Sequence, residues 1–134
     1  MAEPREPRLD PEERAAFNKG VREFNQGHYF ECHDTLEELW SGVRGDGRDF
    51  FQGLIQVAVG HYHLGNGNAA GARSMFERAL GRFARYPARY FGFDLERQRA
   101  ELRERLGGLT DDGDLPAAGG PPQWRFDEPV SAGS

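Results

Sequence analysis

The amino-acid sequence predicts an all-α fold: a compact bundle of about five helices, built on two helical hairpins and followed by an irregular C-terminal segment. Apolar residues recur at helical spacing, glycine and proline separate these stretches, and part of the pattern occurs twice. With 134 residues, the chain is long enough for one hydrophobic core and short for two. We expect a polar N-terminal extension at 1–10, a single helical domain at 11–107 and an irregular tail rich in Gly, Pro and Asp at 108–134.

Each predicted helix is bounded by residues that favour helix ends. A proline behind an aspartate cap begins the first stretch, glycines follow several others, and Pro87 ends the fourth. The third stretch is apolar on most of its sides, which predicts a central and largely enclosed helix. The expected helices run from about Pro11 to Gly27, Tyr29 to Trp40, Asp49 to Leu64, Asn68 to Tyr86 and Leu95 to Leu106.

An internal repeat predicts the two hairpins. Residues 17–40 match residues 57–80 at a shift of 40 positions, so that Gly20 corresponds to Gly60 and Cys32 to Ala72. A glycine in the first helix, a glycine turn, and small and large residues alternating in the second resemble the tetratricopeptide hairpin, whose spacing is about 34 residues. Two degenerate copies predict a compact bundle with tetratricopeptide-like hairpins and no long solenoid.

Charge and composition restrict the partners. The chain carries a net charge of −5, yet residues 11–67 hold nine acidic and five basic residues while residues 68–107 hold five acidic and nine basic ones. The helical domain is therefore neutral, which predicts no nucleic-acid partner. No apolar run approaches the about 18 residues of a membrane span, and the single cysteine suits a reducing compartment. We expect a cytoplasmic protein with no membrane contact, an unidentified small-molecule or protein partner, and a sequence compatible with a homodimer.

Two predicted helices carry polar stripes that we expect to face each other. Each stripe places residues of one helix at positions that share a face. If the stripes pack together, imidazole meets carboxylate and carboxylate meets amide, as buried polar groups require. The first stripe is His33, Glu37 and Trp40, and the second, named here the glutamine stripe, is Gln52, Gln56 and His63.

Two interpretations of these stripes stay open. In the first, they form a buried network that only fixes the register of the helices. In the second, they form a site for Zn, Mn or Fe, because histidine with a carboxylate one turn away suits these metals. The candidate metal ligands are His33, His63 and Asp34, the candidate catalytic carboxylates are Glu37 and Glu31, and the candidate substrate- or network-lining residues are Tyr29, Trp40, Gln52 and Gln56.

The fourth predicted helix carries a stripe of arginines. Arg78, Arg82 and Arg85 recur at i, i+4 and i+7 opposite its apolar residues. Arg89 extends the stripe only if the helix continues past Pro87. Such a stripe suits an acidic partner or a phosphate group, although it more often marks a solvated face whose arginines pair with nearby acids. The first three arginines are our candidate partner-binding residues.

Helix geometry disfavours two further pairs as sites. His61 and His63 diverge by about 200° around a helix, so we expect His61 on a different face or exposed. Cys32 and His33 suggest a nucleophile and a base, but neighbouring helical side chains point about 100° apart. Because Cys32 occupies a small-residue position of the repeat, we interpret it as a buried apolar residue.

The motifs together resemble a known family. Residues 29–40 read Tyr-Phe-Glu-Cys-His-Asp-Thr-Leu-Glu-Glu-Leu-Trp, and residues 51–59 read Phe-Gln-Gly-Leu-Ile-Gln-Val-Ala-Val, with His63 after them. Over about residues 15–90 the chain resembles the family catalogued as domain of unknown function 309. Asp34 stands where that family more often has glutamate. The resemblance assigns as motif positions Glu31, His33, Asp34, Glu37, Trp40, Gln52, Gln56 and His63.

Two functions of different class follow from these observations. The family resemblance implies a small all-helical protein, sometimes labelled a predicted metal-dependent hydrolase. The competing function is a non-enzymatic binding or scaffold module, in which the hairpins present a groove or the arginine stripe to a partner. In that case the polar stripes serve only to fix helix register. Whether the protein is an enzyme stays open at the level of sequence.

Overall fold

The computed structural model describes residues 3–109 and 121–127. Within them the chain forms five α-helices and one short two-stranded hairpin, which confirms the predicted all-α class. The five helices correspond one to one to the predicted stretches. The elements are α1 (Pro11–Asn25), α2 (Tyr29–Gly42), α3 (Gly47–Gly65), α4 (Ala69–Phe83), β1 (Arg89–Tyr90), β2 (Phe93–Asp94) and α5 (Leu95–Gly108).

Local side chains determine where the helices begin and turn. Asp10 caps α1 by accepting the backbone N–H of Glu13 at 2.8 Å, and the Glu13 carboxylate accepts the N–H of Asp10 at 3.0 Å. Asn68 caps α4 in the same manner through its side-chain oxygen. The turns that follow α1 and α3 contain Gly27 and Gly67 at φ values of 80° and 72°, a conformation that glycine adopts without strain.

The two hairpins repeat one packing arrangement, as the internal repeat predicts. In the hairpin of α1 and α2, Gly20 lies against Leu36, and in the hairpin of α3 and α4, Gly60 lies against Phe76. A Cβ atom at Gly20 would be 2.7 Å from the Leu36 Cδ2, and one at Gly60 would be 2.5 Å from the Phe76 Cε1. Each glycine therefore permits a close approach of two helices at a large buried side chain.

Substitution of the second of these glycines tests that arrangement. Gly60→Ala is expected to lower the free energy of unfolding by about 1–3 kcal/mol, because the fully buried Phe76 ring has no space into which to move. Gly81→Ala is the matched control, since a Cβ there meets nothing within 4 Å. In that exposed position alanine is expected to add about 0.5–1 kcal/mol. Urea denaturation followed by circular dichroism measures both, and equal changes would contradict the close approach.

The core is dominated by aromatic rings around α3. This helix packs against α2 on one side and α4 on the other, and α1 packs against α2. Eleven residues of α3 are buried, as expected for a central helix. The fully buried aromatic side chains of the four hairpin helices are Phe17, Phe24, Phe50, Phe51, Phe76 and Phe83.

The short β-hairpin between α4 and α5 was not predicted. Its antiparallel strands pair Arg89 with Asp94 and Tyr90 with Phe93, and the turn contains Gly92 at a φ of 74°. Two-residue strands are too short to produce a readable alternation of apolar and polar residues. α4 ends at Phe83, three residues before the predicted end at Tyr86, so Arg82 is the last arginine of the stripe within the helix. Arg85 lies in the turn after α4, and Arg89 lies in β1.

Part of the C-terminal segment packs back onto the helices. The Trp124 ring stacks on Phe24 at a centroid distance of 3.6 Å, and the Phe126 ring stacks on Phe93 at 4.3 Å. The rest of the predicted irregular tail, 110–120 and 128–134, lies outside the described residues. Among the residues that the structure describes, no helix combines the length and the apolar character needed to cross a membrane.

Candidate functional site

The motif histidine of α2 is engaged by carboxylates of its own helix. The Nε2 atom of His33 lies 2.7 Å from the Oε2 of Glu37, and its Nδ1 lies 3.3 Å from the Oδ1 of Asp34. The His33 side chain is 26% exposed, and the side chains of Glu37 and Asp34 are 55% and 63% exposed. This group therefore lies on the surface of α2 and does not form the predicted buried pairing with the amides of α3.

The predicted metal ligands do not converge in this arrangement. His63 lies near the end of α3, where its Nδ1 is 3.4 Å from the Nδ2 of Asn68. Both ring nitrogens of His33 face carboxylates of α2. Within residues 3–109 and 121–127, no three His, Cys, Asp or Glu side chains are placed to hold one metal ion. The residues present do not fit a shared ion at His33, Asp34 and His63, and metal binding there stays a prediction.

The polar network predicted between α2 and α3 is incomplete. Gln56 is only 6% exposed, and its Oε1 has no hydrogen-bond partner in the described part of the chain. The Nε1 of Trp40 is likewise buried without a partner there. Arg48 covers the Trp40 ring, with its guanidinium carbon 3.9 Å from the ring centroid. A network that served only to fix register would satisfy these atoms.

The glutamine stripe of α3 lies between α2 and α4. Tyr62 of α3 contacts Phe30 of α2, with ring centroids 5.4 Å apart. A different side of α3 faces α4, because Gly60 lies against Phe76. Successive residues of a helix are about 100° apart around its axis, so the glutamine stripe lies between the side of α3 that carries Tyr62 and the side that carries Gly60.

A cleft of about 420 Å³ between α3 and α4 brings the predicted arginines together. The Nη1 of Arg82 donates to the Oδ1 of Asp49 at 2.7 Å, and the Nη2 of Arg85 lies 3.5 Å from the Oδ2 of the same carboxylate. The pairing with nearby acids that such a stripe more often shows is therefore present for two of the three arginines. The side chains that line the cleft are Asp49, Gln56, Arg78, Arg82 and Arg85, with Gly81 beside them.

Two exposed aromatic residues adjoin the motif histidines, and sequence reasoning missed both. Phe30 is 49% exposed and Tyr62 is 39% exposed, the two large apolar side chains that the described residues leave exposed. Phe30 contacts His33 at 5.8 Å between ring centroids, and Tyr62 contacts His63 at 6.0 Å. We name these four residues the aromatic patch. The sequence contained a signal for Phe30, because its position lies about 160° around α2 from the core position Cys32 and so on the solvent side of the helix.

Comparison with known proteins shows that the helices of this patch lie in a region similar to a known family. Residues 17–75 match the family described as domain of unknown function 309. The match covers 59 of the 134 residues. The matched region contains α2 and α3 with the aromatic patch and the glutamine stripe, and it stops before Arg78.

The proteins that this chain resembles have names that state no function. An uncharacterized protein of Aquifex aeolicus (strain VF5) is 27% identical over 104 residues, which cover 77% of this chain and 29% of that protein. The uncharacterized protein YpuF of Bacillus subtilis (strain 168) is 40% identical over 53 residues, which cover 39% of this chain and 30% of that protein. The matched region thus spans less than a third of each relative.

Two residues next to the motif positions, His61 and Cys32, lie in the core and away from the patch. His61 is 5% exposed, with its ring 5.3 Å from the Tyr29 ring. Burial, together with the charge of Arg105, lowers the pKa of His61 to about 3. His61 therefore lies on a different face of α3 from His63, as expected. It is buried, so of the two expectations, a different face or exposure, the first is the one that holds. Burial also raises the pKa of the Cys32 thiol, in agreement with its interpretation as a buried apolar residue.

Proposed function

We propose that this protein is a non-enzymatic binding module whose aromatic patch docks a basic segment of a partner protein. The observation that carries the proposal is the contact between Phe30 and Tyr62, which joins α2 to α3 at the surface. Exposed aromatic side chains that adjoin each other mark interaction surfaces more often than isolated ones do. The patch lies within residues 17–75, the part of the chain that is similar to the family.

The aromatic rings supply the apolar part of such an interface. Aromatic side chains contribute most of the binding energy in many protein interfaces, because they bury a large area with few rotatable bonds. Phe30 lies on the solvent side of α2, opposite the core position of Cys32, so its exposed half contributes little to folding. Its neighbours His33 and Tyr62 extend the aromatic surface across the two helices.

The charge of α2 favours a basic occupant. The helix carries four carboxylates and neither lysine nor arginine between residues 29 and 42. Arginine and lysine side chains bind aromatic faces by cation–π attraction, and their charged groups pair with carboxylates at the rim. The two carboxylates on His33 keep more than half of their surface exposed and are available to such a partner. The four acidic residues are Glu31, Asp34, Glu37 and Glu38.

A fluorescence anisotropy titration tests this function. The probe is a short fluorescein-labelled peptide of alternating arginine and leucine, compared with a peptide in which glutamate replaces arginine. The arginine peptide is expected to bind, and Phe30→Ala and Tyr62→Ala are each expected to weaken binding by about tenfold. Glu37→Gln is expected to weaken it by about threefold, through loss of an exposed charge. Glu104→Gln on the exposed surface of α5 is the matched control and should leave binding unchanged.

Two results would contradict a basic partner on this patch: equal affinity for both peptides, or full affinity in the Phe30→Ala variant. Elemental analysis of the purified protein distinguishes the competing function. A metal-dependent hydrolase requires near-stoichiometric metal that is lost in both His33→Ala and His63→Ala. Metal with those properties would contradict the proposed binding module and favour a metal-dependent hydrolase.

A further inference from the structure

We infer that the cleft between α3 and α4 is a second binding site, for an oxyanion such as a phosphate or carboxylate group. The cleft lies on the α4 side of the glutamine stripe, whereas the aromatic patch lies on the α2 side. Its three arginines are beyond the residues matched to the family. The site therefore goes beyond the proposed docking of a basic segment and uses different residues.

The arrangement around Asp49 illustrates how the cleft holds an anion. Arg82 and Arg85 each approach a different oxygen of the Asp49 carboxylate, at 2.7 Å and 3.5 Å. Arg85 is held in place because its Nη2 also donates to the hydroxyl of Tyr86 at 3.1 Å and to the carbonyl oxygen of Asp46 at 3.2 Å. Guanidinium groups that are fixed in this way bind carboxylate and phosphate oxygens with little loss of side-chain freedom.

The cleft holds more positive charge than its own carboxylate neutralises. Three arginines face a single aspartate, which leaves a net charge of +2. Arg78, one turn before Arg82, has no hydrogen bond or ion pair within the described residues. A ligand anion can therefore bind Arg78 directly. It can also displace the partly exposed Asp49 carboxylate from Arg82 and Arg85.

Gln56 supplies the observation that separates a ligand site from a solvated ion pair. The residue lines the cleft, yet it is 6% exposed, and the described residues offer no partner to its Oε1. A buried amide without a partner is costly, and proteins rarely keep one without a ligand or an ordered water. A surface ion-pair network would need no such amide, whereas the amide N–H group of Gln56 can donate to an oxyanion beside the arginines.

The test is a titration of the full chain with inorganic phosphate and, separately, with acetate, followed by ¹H–¹⁵N NMR at constant ionic strength. Arg78→Gln is expected to weaken binding of the tighter anion by about tenfold, and Gln56→Leu by a similar factor. Asp49→Asn is expected to strengthen it by about tenfold, because it removes the competing carboxylate. Arg103→Gln on α5 removes an exposed arginine far along the chain and should change nothing.

Tighter binding of phosphate assigns the natural oxyanion to a phosphate group, and tighter binding of acetate assigns it to a carboxylate. Failure of both anions to shift the resonances of Gln56 and Arg82 would overturn the site. So would equal effects of Arg78→Gln and Arg103→Gln, or an unchanged affinity in Asp49→Asn, which does not alter a buried residue. Phe30→Ala should leave anion binding intact, so failure of this site and failure of the aromatic patch are distinguishable.

Discussion

Acidification from about pH 7 to about pH 4 is expected to lower the free energy of unfolding by roughly 3 kcal/mol through one residue, His61. This side chain is 5% exposed and lies among the rings of Phe24, Tyr29 and Phe76. Burial is the main reason why its pKa falls to about 3, and the positive charge of Arg105 acts in the same direction. The imidazole therefore stays neutral in the folded protein throughout this pH range.

The sign follows from proton binding in the two states. In the unfolded chain a histidine has a pKa of about 6.5, so it takes up a proton as the pH falls below that value. Folded His61 takes up none until about pH 3. Because the unfolded state binds more protons between these two values, acid favours unfolding. The contribution of His61 to stability is fully present above about pH 6.5 and is lost progressively towards pH 3.

Urea denaturation at the two pH values measures this effect. In His61→Leu, which keeps a buried apolar side chain of similar size, the part of the acid sensitivity due to His61 should disappear. His28→Gln is the control, since His28 is exposed and its replacement should leave the pH dependence as it is. If the wild type and His61→Leu lost equal stability on acidification, His61 would not be the buried neutral group described here.

Trp124→Ala is expected to lower the free energy of unfolding by about 3–5 kcal/mol, although the residue lies in the C-terminal segment. Its ring is 3% exposed and lies parallel to the Phe24 ring, with an interplanar angle of 3°. Its Nε1 donates to the Oε1 of the buried Gln98 at 2.8 Å. The backbone is held as well, because the N–H and carbonyl of Trp124 both bond to the side chain of Asn25, at 2.6 Å and 2.9 Å.

Two further variants separate the contributions of this tryptophan. Trp124→Phe keeps an aromatic ring on Phe24 but leaves the buried Gln98 oxygen unpaired, so a loss of about 1–3 kcal/mol is expected. Arg125→Ala is the control, because the Arg125 side chain is 93% exposed and should change stability by no more than about 0.5 kcal/mol. Circular dichroism during urea denaturation gives all three values. A Trp124→Ala variant as stable as Arg125→Ala would show that the segment is dispensable to the fold.

The candidate site was only partly readable from the sequence. Helical spacing correctly placed His33 and Glu37 one turn apart on one face of α2, and Arg78 and Arg82 one turn apart on α4, whereas Arg85 lies beyond the end of α4. Their partners depended on how the helices pack, and the described residues leave the network between α2 and α3, one of the two interpretations, incomplete. His33 instead pairs within its own helix, and Gln56 faces the arginine cleft. Periodicity identifies which residues share a face but does not identify the helix that the face meets.

The exposed contact between two aromatic residues likewise depends on how the helices pack. Aromatic side chains are usually buried, so an exposed pair is invisible to composition, and the contact of Phe30 with Tyr62 joins two helices. The β-hairpin after α4 was not predicted for a different reason. Pairing over two residues in each strand leaves no periodic pattern in the sequence.

The sequence by itself determined the five helices and the N-cap of the first, because these depend on residues within one or two turns of each other. The two hairpins were readable from the repeat that aligns Gly20 with Gly60, although the contacts of these glycines with Leu36 and Phe76 were not predicted. Tertiary structure alone decided the burial of His61, the cleft at Gln56 and the docking of Trp124 on Asn25, 99 residues away along the chain. Such contacts arise from the packing of whole helices, and no local pattern encodes them.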